Sequence, residues 1–134
     1  MNSTRNSYES TSNLIHIRVV PRYEAAESNP AIGKFIYSYH ITLTNDNPFT
    51  VQLLHRKWHI VDSIQERREI SGEGVIGQQP VLAPGESFSY TSWCPLHSPI
   101  GKMYGTYLFA NLAAETQFEV EIPPFLLISD FKLN

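Results

Sequence analysis

The chain has 134 residues, enough for one hydrophobic core that buries roughly two-thirds of the surface its unfolded form exposes. Hydrophobic residues at 42% exclude a disordered chain, and 17% charged residues is low for a helical surface, so the balance leans towards strands. A net charge of −3 gives no general attraction to nucleic acid or to anionic membranes, and no run approaches the ~20 apolar residues of a membrane helix, so neither is expected as a partner.

Residues 1–12 are rich in Ser, Thr and Asn and hold too few apolar groups to offset the entropy of ordering; they are expected to form a loose tail. Residues 13–134 are expected to form a single domain. From Leu14 onward Ile15, Ile17 and Val19 alternate with His16 and Arg18, the pattern of a half-buried strand. Ser28-Asn29-Pro30 and Gly33 break the chain before the clearest alternation of all, Phe35, Tyr37, Tyr39, Ile41 and Leu43. These five should line one inner face, with Ser38, His40, Thr42 and Thr44 opposite.

Asn45-Asp46-Asn47-Pro48 is a dense turn signal, and the run from Phe49 to Asp62 reads as the next strand. A shorter strand around Arg68 to Ser71 leads into the glycine-rich stretch Gly72 to Gly77. After the turn Ala83-Pro84-Gly85-Glu86, Phe88, Tyr90 and Ser92 alternate with Ser87, Ser89 and Thr91. Lys102 to Phe109 places Met103, Tyr107 and Phe109 on one side, and Thr116 to Ile122 sets Phe118, Val120 and Ile122 against Gln117, Glu119 and Glu121. Such a series of strands joined by Pro, Gly and Asn turns, with no convincing helix, predicts an all-β, antiparallel two-sheet sandwich. Trp58 and Trp93, with Tyr37, Tyr39, Tyr104 and Tyr107, are expected mostly in its core. Edge strands leave the oligomeric state open.

The residues that bear chemistry are scattered. Cys94 is the single cysteine, which rules out an intramolecular disulfide and a cysteine-based zinc cage and fits a reducing, cytoplasmic compartment. His55 and His59 share a face on a helix, but on a strand they start ~13 Å apart, too far for one metal ion. His16 and His40 are the pair that neighbouring strands can bring together. Cys94 and His97 lack a visible orienting group and oxyanion site, and Glu119 and Glu121 read as a solvated sheet face. Neither a metal nor another cofactor is expected.

Two long stretches, Val51-Gln52-Leu53-Leu54-His55-Arg56-Lys57-Trp58-His59-Ile60-Val61-Asp62 and Gly72 through Ser92, resemble the ApaG domain, as do Gly101 to Tyr107 and Phe118 to Phe125. The resemblance runs collinearly from Leu14 onward and implies a sandwich of the fibronectin type III kind. Domains of this family occur alone in bacteria beside a diadenosine tetraphosphate hydrolase, and fused in eukaryotic F-box proteins and a polymerase-delta-interacting protein. Those settings imply protein or polyphosphate binding; bacterial members are linked to cobalt and magnesium tolerance, and no enzymatic activity is attached to the family. The alternative is an enzyme or accessory factor acting on nucleotide polyphosphates. This chain departs from the family at His55, at Lys57 and at Trp93-Cys94-Pro95.

Gly72-x-Gly74-x-x-Gly77 has the spacing of a dinucleotide fingerprint, but Pro80 and Pro84 leave no room for the helix whose N-terminus that fingerprint aims. Two readings survive. The glycines permit tight turns, or their amides form an anion nest assisted by Arg56 or by Arg67-Arg68, if the fold brings them near. The second gives the expected ligand site, Arg56 with Gly72, Gly74 and Gly77, for a phosphate-containing small molecule. The chain is thus expected to be a non-catalytic binding module, whose partner is a protein or such a phosphate.

Overall fold

The computed structural model describes residues 7–63 and 66–129. In chain order its strands are β1 (Tyr8–Ser12), β2 (Ile15–Tyr23), β3 (Phe35–Asn45), β4 (Val51–Asp62), β5 (Arg67–Glu73), β6 (Val81–Leu82), β7 (Ser87–Leu96), β8 (Ile100–Asn111) and β9 (Thr116–Ile128). They form two antiparallel sheets, ordered β1-β2-β3-β7 and β5-β4-β8-β9, with β6 paired to the start of β4. Single 3₁₀ turns at Ala25–Glu27 and Pro30–Ile32 join β2 to β3. The chain is an all-β sandwich, as the alternation predicts.

Phe35, Tyr37, Tyr39, Ile41 and Leu43 are all buried on the inner face of β3, because a period of two turns every second side chain away from solvent. Opposite them stand Trp58 and Ile60 from β4, Met103, Tyr107 and Phe109 from β8, and Val120, Ile122 and Phe125 from β9. Trp58 sits edge-on against Tyr39 and Phe125, with ring centroids 5.4 and 5.8 Å away, the geometry aromatic quadrupoles prefer. The Asn45 turn is a buried polar knot. Its side-chain amide donates to the carbonyls of Phe49 and Leu82 at 2.9 and 3.0 Å, and its Oδ1 accepts the Asn47 N–H.

The structure corrects three expectations. Tyr8–Ser12, placed in a loose tail by the sequence reading, is a strand paired with Ile15 to Val19 of β2; residues 1–6 lie outside the described residues. Few apolar groups are needed there, because the polar side chains themselves are bonded to β9. Gly72 lies within β5 rather than in a loop. Trp93 and Tyr104 point away from the core, since each is out of phase with the inward residues of its strand; Trp93 is 54% exposed.

Candidate functional site

A sandwich of two sheets has two seams where the sheet edges face one another, and here they are built differently. Along one, β1 lies against β9. Ser10 Oγ donates to the Glu121 carbonyl at 3.3 Å, Ser12 Oγ accepts the Glu121 N–H at 3.2 Å, and Asn13 Nδ2 donates to the Glu119 carbonyl at 2.8 Å. Tyr8 packs its ring 6.1 Å from Phe125 behind these bonds. The outer edge of β9 is thereby covered.

Along the other seam, β5 and β7 stand apart around a crevice of about 250 Å³. Its walls carry Arg56, Arg68, Tyr39, Ser92, Trp93 and Cys94, over a floor that includes Trp58 and Met103. Arg56 faces inward because of a β-bulge. Val51 and Leu53 are buried, the register slips between Leu53 and His55, and the inward set becomes Arg56, Trp58 and Ile60. Had strict alternation continued from Leu53, His55 and Lys57 would have faced the crevice.

Arg56 Nη1 donates to the carbonyls of Glu73 and Gly74, at 3.0 and 2.9 Å. Arg68 Nη2 reaches across the seam to the Pro95 carbonyl at 2.7 Å and lies 3.8 Å from Cys94 Sγ. Neither guanidinium is in an ion pair with a carboxylate among the described residues; the arginine ion pairs there involve Arg18 and Arg22. Asp62, buried below the crevice, instead accepts the His97 N–H at 2.6 Å and the Ser98 hydroxyl.

Of the expected anion site, the structure brings Arg56, Gly72 and Gly74 together. A Cβ at Gly72 would stand 3.0 Å from Arg56 Nη1, so its absence gives the guanidinium room. Gly74 takes φ +62°, and a Cβ there would lie 2.1 Å from the Gln78 carbonyl oxygen. Three of the loop's amides have backbone partners: Gly74 N–H donates to the Leu54 carbonyl, while Val75 and Gln78 bond each other across a tight turn. What the loop offers Arg56 is carbonyl oxygen. Gly77 is at the exposed tip of that turn, with no atom within 4 Å of the place a Cβ would occupy.

Burial sets the acid–base character of the crevice. It raises the Cys94 thiol from an ordinary 9.0 to about 11, against the pull of Arg68, so the thiol is protonated and a poor nucleophile at neutral pH. Tyr39 is raised by burial, opposed by its bond to Ser92. Behind it Tyr90 and Tyr107 share a 2.5 Å hydroxyl–hydroxyl hydrogen bond, and burial pushes both phenols up.

The other residues that the sequence singled out lie apart. His16 pairs with Thr11 and Glu9, whereas His40 bonds Thr91; they stand opposite Thr44 and Val20, and so do not meet. His59 stacks on Tyr104 at 4.8 Å on the outer face of the second sheet. No group of three His, Cys, Asp or Glu side chains suited to a metal ion gathers among the described residues. Sequence reading offered Arg68 only as an aid to the glycine loop and missed Trp93 altogether as a member of the crevice, because only the topology brings β5 and β7 to the same seam.

Residues 25–111 match the sequence model of the ApaG domain. Protein ApaG of Methylobacterium sp. (strain 4-46) is 45% identical over 120 residues, covering 90% of this chain and 92% of its own. Protein ApaG of Allorhizobium ampelinum is 43% identical over 120 residues, with coverage of 90% and 92%. The crystal structure of the putative ApaA protein from Bordetella pertussis superposes with a TM-score of 0.84 at 41% identity, covering 87% of this chain and 94% of that one. No described helix is long and apolar enough to cross a membrane.

Proposed function

The chain belongs to the ApaG domain family, and from that premise we propose that it is a non-catalytic binding module, acting in the cytoplasm, that takes an anionic group at the seam between β5 and β7. One observation carries the reading: two partly buried guanidiniums line one crevice and no described carboxylate neutralises either. Guanidinium is the side chain best suited to hold phosphate or carboxylate through paired hydrogen bonds, and the low-dielectric floor strengthens that attraction. The glycine stretch serves the site by positioning Arg56 from behind. A binding role is favoured over catalysis because the thiol in the crevice is protonated, and among the described residues neither it nor the Ser92 hydroxyl beside it is bonded to a histidine.

Titration calorimetry with pyrophosphate at low ionic strength tests this reading. The wild type should release heat, Arg68→Ala should bind about tenfold or more weakly, and added salt should reduce the affinity of both. An absence of heat from the wild type ends the proposal.

A further inference from the structure

We infer that the occupant of this seam is an extended segment of another protein, which adds as a strand to the outer edge of β7 and places an acidic side chain between Arg56 and Arg68. This rests on the anion-binding reading above and goes beyond it by naming the partner.

The backbone of β7 supplies the first argument. It pairs with β3 from Phe35↔Leu96 to Thr44↔Ser87 and, among the described residues, with no strand on its other side. In an antiparallel ladder successive residues turn their N–H and C=O groups to alternate edges. Pro95 stands opposite Ile36 and sends its carbonyl away from β3, to Arg68. Thr91 and Trp93, in the same phase, therefore direct N–H and C=O outward, where an incoming main chain can bond them. Edges of this kind are normally defended by charge, by proline or by a covering element. From Ser87 to Trp93 the strand has no charged residue and no proline, whereas the β9 edge is covered by β1.

The side chains on either side of that edge supply the second. An added strand alternates its residues between the two faces. Those directed inward meet the crevice with its two guanidiniums, so charge complementarity selects aspartate or glutamate there. Those directed outward pass Trp93, which with Ile36, Lys34 and Glu27 walls a shallow hollow of about 410 Å³ on the outer face of the sheet. The segment is thus specified as an acidic residue next to an apolar one, in extended conformation. A second copy of this chain, pairing β7 to β7, fits less well: its inward residues there are Ser92 and Cys94, which bring no negative charge to the arginines.

The test is selection of a displayed library of random twelve-residue peptides on the full chain, with removal of those that also bind Arg68→Ala. The expected result is a family rich in β-branched and aromatic residues, with a fixed Asp or Glu beside an apolar position. A synthetic member of that family should lose about tenfold in affinity on Arg68→Ala, and as much when its edge-facing amides are N-methylated. Enrichment without an acidic position, a helical spacing of anchors, indifference to N-methylation, or no enrichment overturns the inference. So does a dimer in the absence of peptide that Trp93→Lys converts to monomer, since the edge is then taken by a second copy. Pyrophosphate calorimetry on the same preparation separates the two levels: heat with pyrophosphate but no such peptide family removes only the strand-addition step, and failure of both removes the anion site as well.

Discussion

The two seams of this sandwich solve the same problem in opposite ways. At β1/β9, a strand made largely of serine and threonine lies beside a bare edge and bonds its backbone through side chains. At β5/β7, the edges are held by one guanidinium, Arg68, and the space between them stays open. The first arrangement completes the fold and removes a template for association; the second leaves main-chain groups, an exposed tryptophan and positive charge at one mouth. The polar tail-like segment is thus structural, whereas Arg56 and Arg68 are held by the fold with no carboxylate paired to either among the described residues.

The largest expected effect comes from the phenols and the thiol behind the open seam. Burial raises Tyr39, Tyr90 and Tyr107 above their ordinary 10.0 and Cys94 from 9.0 to about 11, so the folded chain holds these protons more tightly than the unfolded one. Their contribution to stability is complete below the unfolded values and is lost as pH rises beyond them. Urea midpoints should be flat up to about pH 8.5 and fall steadily from pH 9 upward. A flat midpoint through pH 11 would mean that the seam is wet to its floor.

Gly74→Val comes next. Its Cβ collides with the Gln78 carbonyl at a positive φ, which should cost about 3 kcal/mol or more in denaturant unfolding and release the carbonyls that hold Arg56. At the closed seam, the double change Ser10→Ala with Ser12→Ala should cost about 1–2 kcal/mol and make sizing profiles concentration-dependent, because the β9 edge is bared. At the open seam, Arg68→Ala should cost less than about 1 kcal/mol by thermal melting, since its bonds are few and partly exposed. If the Arg68 change proved the more damaging of the two, the division between a structural and a binding seam would be reversed.

Much of the fold was legible because burial enforces period two: β3 and β9 follow from Phe35 to Leu43 and from Phe118 to Ile122, and the Asn45 turn from its own side-chain bonding capacity. Apolar content alone does not show the order of Tyr8–Ser12, because what orders it is bonding to β9: Ser10 and Ser12 alternate in the sequence, but their partner Glu121 lies more than a hundred residues away. The bulge in β4 did leave a trace, since Val51 and Leu53 are out of phase with Trp58 and Ile60, and a phase break of that kind places Arg56 inside. The crevice was beyond reach. Arg68 and Trp93 lie 25 positions apart in sequence and become neighbours only through the crossover that puts β5 and β7 at one seam. Of the glycines whose spacing stands out in the sequence, Gly74 turns its amide to the Leu54 carbonyl and its own carbonyl to Arg56.

The most direct test of the open seam as the binding surface is a ¹⁵N NMR titration of the wild type with pyrophosphate at low salt, reading backbone amides together with arginine side-chain Nε–H signals. Shifts should gather at Arg56, Arg68 and Ser92 to Cys94, with Glu119 to Glu121 on the closed seam unmoved. Shifts confined to Val75 to Gln79, or spread over Lys57 and Lys102 on the outer face, would contradict it.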